Sequence, residues 1–79
     1  MTSNYAIGRA KEYRVKRKLE KEGYFVLRSS GSHSPVDLIA IKNGQVRLIQ
    51  CKKRKYLSPK EKMDKEKVEK ITGYIIEIL

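Results

Sequence analysis

The dipeptide Asn43-Gly44 limits the possible folds of this chain more than any other short stretch. Both residues tolerate the positive φ that a type I′ turn needs, and apolar runs lie on either side of them, which predicts a β-hairpin with a two-residue loop. A loop of that length fixes the register of the two strands, because it places Lys42 opposite Gln45. The hairpin is therefore predicted together with its residue pairing.

Three polar side chains gather at the open end of this predicted hairpin. Counting back from the turn places Asp37 opposite Gln50, and Lys52 follows two residues later on the same face as Gln50. Carboxylate and amide oxygens suit Mg²⁺ or Mn²⁺ and not Zn²⁺, and an ammonium group nearby can stabilise charge on a phosphoryl oxygen. This pattern indicates a site for phosphodiester hydrolysis. The alternative is that Asp37 and Lys52 are ordinary residues at strand ends.

The remaining segments predict the element order αβββαβ. Both faces of the hairpin are apolar, so we expect it to be the central pair of a sheet with helices on at least one face. We see neither a repeat nor a linker, and we expect one domain over residues 1–79. The predicted elements are a helix over 5–22 ending at Gly23, strands over 24–28, 36–42 and 45–52, a helix that begins at Ser58-Pro59-Lys60-Glu61 and runs to about Ile71, and a strand over 74–79.

Helical spacing sets which residues of the two helices face the sheet. In the first helix Gly8, Glu12, Val15 and Leu19 share one stripe, so Glu12 is predicted to point toward the core, although pairing with Lys16 on a solvated face is the alternative. In the second helix the residues predicted to contact the core are Met63, Val68 and Ile71.

Charge is the strongest compositional signal. The 79 residues carry a formal net charge of +10, with 35% charged and 39% hydrophobic residues, which predicts a globular domain with a polyanionic partner, first of all nucleic acid. No apolar run approaches the roughly 20 residues of a membrane-spanning helix, and the N-terminus lacks the apolar core of a signal peptide. With Cys51 as its single cysteine, the chain is expected to be an intracellular, cytoplasmic protein without a membrane partner.

The order of these motifs resembles a known nuclease superfamily. Asp37, followed after a hairpin by Gln50-Cys51-Lys52, is similar to the signature of the PD-(D/E)xK nucleases, whose core is also αβββαβ with a mixed central sheet flanked by helices. The chain is most similar to the archaeal Holliday junction resolvases, in cellular or viral form. That likeness runs from about Ile7 to Lys55 and rests on Gly8-Arg9-Ala10-Lys11-Glu12, on Gly23-Tyr24-Phe25-Val26-Leu27-Arg28 with its Ser/Gly loop, and on Val36-Asp37-Leu38-Ile39-Ala40.

The resemblance implies a role for each matching residue. Glu12, Asp37 and Gln50 would bind Mg²⁺, with Mn²⁺ as a substitute, and Lys52 would be the catalytic lysine. Gln50 stands where the resolvases usually carry glutamate, although Mrr-type restriction nucleases often have Gln-x-Lys. Ser32 would assist catalysis near the scissile phosphate. Residues expected to contact DNA are Arg9, Arg28, Ser32, Lys53, Arg54 and Lys55, together with His33, which has no clear counterpart in the resolvases.

Three functions are compatible with these residues. The first is a metal-dependent endonuclease that cuts four-way DNA junctions as a homodimer. The second is a nuclease of the same fold that acts on flaps, ends, single strands or a restriction site. The third is a degenerate basic DNA-binding protein, for which Gln50 in place of glutamate is the main argument.

Overall fold

A computed structural model describes the chain over residues 4–29, 34–52 and 56–79. It has the predicted αβββαβ order, and its four strands form one mixed sheet, so the predicted α/β class with a restriction-endonuclease-like core is confirmed. The elements are α1 (Asn4–Lys21), β1 (Phe25–Arg28), β2 (Leu38–Lys42), β3 (Gln45–Gln50), α2 (Pro59–Thr72) and β4 (Ile76–Ile78). In the sheet the strands lie in the order β1-β2-β3-β4, antiparallel except for the parallel pair β3-β4.

The turn between β2 and β3 has the predicted conformation. Asn43 and Gly44 have φ values of 50° and 77°, as a type I′ turn requires, and Lys42 pairs with Gln45. The regular pairing continues only as far as Leu38 and Ile49. One residue further the Asp37 N–H donates to the Ile49 carbonyl at 2.8 Å, so this bond replaces the predicted alignment of Asp37 with Gln50.

The two helices cover opposite faces of the sheet. The helix α1 packs through Leu19 on one face, where the core consists of Val26, Leu38, Ala40 and Ile49. The other face holds a second cluster of Val36, Leu48 and Ile76, which Val68 of α2 contacts. The prediction that both faces of the hairpin are apolar and covered is therefore confirmed.

The helix α2 begins and ends where the sequence predicts, but its packing differs. Ser58 accepts from the Glu61 N–H at 3.2 Å, Glu61 Oε1 accepts from the Ser58 N–H at 3.1 Å, and Gly73 ends the helix with a φ of 76°. Val68 contacts the core as predicted, whereas Met63 and Ile71 are 70% and 75% exposed. At about 100° per residue Met63 lies roughly 140° around the helix from Val68, so one face of α2 cannot bury both.

The short strand β4 is fixed to the sheet by side chains as well as by its ladder. Arg47 on β3 forms two hydrogen bonds with the Glu77 carboxylate, at 2.8 and 2.6 Å, and Glu69 of α2 accepts from the Ile76 N–H at 2.7 Å. These contacts keep β4 parallel to β3 at the edge of the sheet. Over the part of the chain that the structure describes, neither helix is long and apolar enough to cross a membrane.

Candidate active site

An open cavity of about 390 Å³ lies where the end of β3 meets the beginning of α2. It brings together Asp37, Gln50 and Lys52, the three residues that the hairpin was predicted to gather. The residues that line it are Ser34, Pro35, Asp37, Gln50, Cys51, Lys52, Lys60, Glu61 and Asp64. Charged and amide side chains therefore dominate this cavity.

Asp37 is held in place by the backbone of the two neighbouring strands. Its Oδ2 accepts from the Cys51 N–H at 2.7 Å, and its carbonyl accepts from the Ser29 N–H at 2.8 Å. Burial raises the pKa of the Asp37 carboxyl and the negative charge of Glu12 raises it further, while the bond from Cys51 and the charge of Lys52 act in the opposite direction. A cation beside Asp37 would relieve the repulsion between these two carboxylates.

Gln50 is a buried polar residue with an unsatisfied oxygen. The residue is 8% exposed, and its Oε1 accepts no hydrogen bond from any part of the chain that the structure describes. Its backbone is fixed, because the Gln50 carbonyl accepts from the Leu79 N–H at 2.9 Å. A buried amide oxygen without a partner is destabilising, which makes it a natural ligand for a cation or water in the adjoining cavity.

Glu12 points toward the sheet, as its helical stripe predicts. Its Oε2 accepts from Arg28 Nε at 3.0 Å, and the Arg28 guanidinium lies 5.2 Å from the centre of the Tyr13 ring. The alternative pairing of Glu12 with Lys16 is wrong, because Lys16 pairs with Glu20 at 3.3 Å. Glu12 does not line the cavity itself, but its charge acts on Asp37.

Lys52 is held by contacts from α1, from α2 and from the residue that follows β4. Its N–H donates to the Leu79 carbonyl at 2.9 Å, its carbonyl accepts from Lys11 Nζ, and its own Nζ pairs with Glu61 Oε2. The pairing with Lys52, together with the hydrogen bonds to Ser58, lowers the pKa of the Glu61 carboxyl to about 2. An anionic carboxylate and an ammonium group are therefore in contact inside the cavity at neutral pH.

Glu61 and Asp64 were not identified as site residues from the sequence. Glu61 was recognised only as the third helical residue of a capping box, and its position beside Lys52 depends on where α2 docks. Asp64 follows at i+3 on the same side of the helix and lines the same cavity. The sequence signal that could have identified both residues was their i, i+3 spacing in a helix that begins a few residues after Lys52.

The Cys51 thiol is poorly suited to nucleophilic chemistry at this site. It packs against the apolar cluster on the α1 side of the sheet, and burial raises the pKa of its thiol to about 11. A thiol in that state is a poor nucleophile and a poor metal ligand at neutral pH.

The donor set fits a hard divalent cation. Asp37 and Gln50 line the cavity with oxygen-bearing side chains, and the charge of Glu12 acts on Asp37 from outside the cavity. Within residues 4–29, 34–52 and 56–79, no three Asp, Glu, His or Cys side chains stand close enough to hold a metal by themselves. An oxygen set with one amide, completed by water, is compatible with Mg²⁺, which usually retains several waters.

Several residues predicted to contact DNA lie outside the described part of the chain. These are Ser32, His33, Lys53, Arg54 and Lys55, and the side chain of Arg9 is likewise not described. Arg28 is described and is engaged with Glu12 and Tyr13. The structure does describe a basic groove along α1. It is formed by Ala10, Tyr13, Arg14, Arg17, Lys18 and Lys21.

Comparison with known proteins gives two matches. A family model described as archaeal Holliday junction resolvase (Hjc) matches residues 3–77. The crossover junction endodeoxyribonuclease Hjc of Methanocaldococcus jannaschii is 42% identical over 76 residues. The aligned region covers 94% of this chain and 53% of that relative, so the chain spans about half the length of the curated relative that it matches.

Proposed function

The chain belongs to the archaeal Holliday junction resolvase family, and from that premise we propose that it is a divalent-metal-dependent endonuclease that hydrolyses phosphodiester bonds near a four-way DNA junction. The observation that carries this proposal is the convergence of Asp37, Gln50 and Lys52 in one polar cavity. Their order along the chain is that of the nuclease motif, and the hairpin brings them together.

Asp37, Gln50 and Glu12 would hold the metal ion, with Mg²⁺ preferred and Mn²⁺ as a substitute. When bound, such an ion polarises the phosphoryl oxygen and lowers the pKa of a coordinated water. The unsatisfied Oε1 of Gln50 and the effect of Glu12 on the Asp37 carboxyl both support this assignment. Because the amide contributes no charge, we expect weaker metal binding than in a site with glutamate at this position.

Lys52 would stabilise the negative charge that develops on the phosphoryl group. Its ammonium group has three N–H donors, so it can remain paired with Glu61 and still donate to a phosphate oxygen and to a water. Ser32 would assist near the scissile phosphate, as the family resemblance implies.

The basic groove on α1 would bind the DNA backbone. Its arginine and lysine side chains, with the net charge of +10, suit phosphate contacts that give affinity without reading base sequence. Arg9, Arg28, His33 and the run Lys53–Lys55 would add further DNA contacts. Recognition of DNA by its branched shape is consistent with contacts of this kind.

We further propose that residues 1–79 form one domain, that the active form is a homodimer, and that it acts on DNA inside the cell. Cutting a junction symmetrically requires two active sites. The edge strand β1 leaves Phe25 and Leu27 65% and 47% exposed, which provides apolar surface for association.

The test is cleavage of a synthetic four-way junction by the purified chain. With Mg²⁺ we expect paired nicks near the crossover and no cleavage in EDTA. Linear duplex of the same sequence serves as the control substrate. Absence of cleavage with both Mg²⁺ and Mn²⁺, combined with retained junction binding, would favour a degenerate DNA-binding protein instead.

A second candidate is a nuclease of the same fold with another DNA target, and Gln50 favours it because Mrr-type nucleases often have Gln-x-Lys. Flap, single-stranded and blunt-ended substrates competing in one reaction would distinguish the two. A resolvase should cut the junction far more readily than the others, whereas equal or preferential cutting of a linear or flap substrate would support the second candidate.

A further inference from the structure

The capping-box glutamate of α2 has a second contact that helix capping does not require. One carboxylate oxygen of Glu61, Oε1, accepts from the Ser58 N–H at 3.1 Å and closes the capping box. The other oxygen, Oε2, pairs with Lys52 Nζ at the cavity. A single side chain thus connects the beginning of α2 to the lysine at the end of β3.

We propose that Glu61 is a positioning residue for Lys52, holding the ammonium group in the cavity beside Asp37 and Gln50. The inference rests on the proposed function, in which Lys52 stabilises the developing charge on phosphate. It adds a residue to that site which the nuclease motif does not contain.

The structure restrains both the backbone and the side-chain tip of Lys52. Its backbone is fixed by Leu79 and Lys11, but those contacts leave the four-carbon side chain free to rotate. A lysine side chain has many accessible rotamers, so an anchor at its tip keeps the ammonium group in one place. Glu61 supplies that anchor, since its own carboxylate is fixed by the helix cap.

The Glu61 carboxylate also leaves part of the Lys52 ammonium group available for substrate. Glu61 lines the same cavity as Asp37 and Gln50, and its carboxylate is in contact with Lys52. The carboxylate occupies one of the three ammonium donors, which leaves two for substrate. The pair therefore orients Lys52 without exhausting its capacity to donate.

Substitution Glu61→Gln separates the two roles of this side chain. Glutamine also completes a capping box, so Glu61→Gln keeps the helix start while it removes the charge that attracts Lys52. Glu61→Ala removes both. The matched control is Glu69→Gln, which neutralises the Lys65–Glu69 pair (2.8 Å) on the same helix and away from the cavity. The glutamine side-chain oxygen can still accept from the Ile76 N–H, so the contact that fixes β4 is kept.

Two measurements on the whole chain test the inference. The first is the NMR relaxation of ¹³Cε-labelled lysines, with the Lys52 signal assigned by its absence in Lys52→Met. Motion at Lys52 should increase in Glu61→Gln and remain unchanged in Glu69→Gln. The second is single-turnover cleavage of a four-way junction in Mg²⁺, at a temperature where both proteins are fully folded. There Glu61→Gln should be about 10- to 100-fold slower with junction affinity unchanged.

The outcomes separate this inference from the proposed function. Unchanged Lys52 relaxation in Glu61→Gln overturns the positioning role, whether or not the protein cleaves DNA. If the unaltered chain cleaves no DNA but Lys52 becomes mobile in Glu61→Gln, the proposed function fails and the positioning contact stands. If the variant cleaves at the normal rate despite a mobile Lys52, the contact has no catalytic importance and the inference is wrong.

Discussion

The Oδ2 atom of Asp37 accepts a hydrogen bond of 2.7 Å from the backbone N–H of Cys51, between Gln50 and Lys52 of the nuclease motif. The bond joins the segment before β2 to the residue after β3, so the two halves of the motif are fixed relative to each other. The same bond fixes one of the two Asp37 carboxylate oxygens at the edge of the cavity.

Replacing Asp37 by asparagine should abolish cleavage while leaving the fold intact. The asparagine Oδ1 can still accept from the Cys51 N–H, but the negative charge that would bind the metal is lost. We expect a loss of at least about 100-fold in single-turnover cleavage, with junction binding unchanged when measured without divalent cations. Glu66→Gln, an exposed change on α2, is the charge-matched control and should cleave normally. Normal cleavage by the Asp37 variant would contradict the site assignment.

Replacing Gln50 by glutamate should strengthen metal binding and weaken the metal-free fold. The new carboxylate would be buried close to Asp37, which we expect to destabilise the chain by about 1–3 kcal/mol in EDTA. A divalent cation would neutralise that charge. Titration of Tm with Mn²⁺ should therefore give a larger rise for the variant than for the unaltered chain, and cleavage should saturate at lower Mg²⁺. An equal response of both proteins to Mn²⁺ would exclude residue 50 as a ligand.

Replacing Gln50 by methionine should raise the stability of the chain and remove its cleavage activity. Methionine has a similar volume and removes the buried oxygen that has no partner among the described residues. We expect the free energy of unfolding, measured in urea, to be about 1 kcal/mol higher than for the unaltered chain. Cleavage should be lost. If stability falls instead, an ordered water or another group satisfies the amide, and the argument from its unsatisfied oxygen no longer holds.

Replacing Glu77 by glutamine should reduce stability at neutral pH but not in acid. Hydrogen bonds from Arg47 lower the pKa of the Glu77 carboxyl below its usual 4.5, so the unfolded chain binds the proton more readily. The stability from this pair is complete above pH 4.5 and is lost as the pH falls through the lower, folded-state pKa. Because both side chains are about one-third exposed, we expect a loss of no more than about 1 kcal/mol at pH 7.

Thermal unfolding between pH 7 and pH 2 provides the measurement for the Glu77 pair. The curves of the variant and the unaltered chain should converge toward the acid end. Glu66→Gln again serves as the control and should follow the unaltered chain throughout. A difference between the Glu77 variant and the unaltered chain that is constant with pH would mean that the effect is not electrostatic.

The sequence determined local structure well because the signals were local. The type I′ turn at Asn43-Gly44 required residues that tolerate positive φ, and the Ser58–Glu61 capping box required only a four-residue pattern. Both depend on backbone geometry within a few residues, so no tertiary information was needed. The same holds for Glu12, whose direction followed from the helical stripe that ends at the buried Leu19.

Features that depend on contacts between distant residues were decided only by the tertiary structure. The alignment of Asp37 with Gln50 failed because a backbone bond from Asp37 to Ile49 replaces regular pairing at the end of the ladder. Met63 and Ile71 are exposed because the apolar contact between α2 and the core is made by Val68. A helix with few apolar residues does not specify its buried face.

At the polar cavity, the motif residues could be predicted from the sequence and the position of Glu61 could not. The residues of the motif, Asp37, Gln50 and Lys52, could be read from the hairpin because a two-residue loop transmits its register along both strands. Glu61 could be read only as a helix cap, since its distance from Lys52 depends on the path of the connecting segment and on the docking of α2. Sequence periodicity therefore determined which residues share a face, and only packing between elements decided which faces meet.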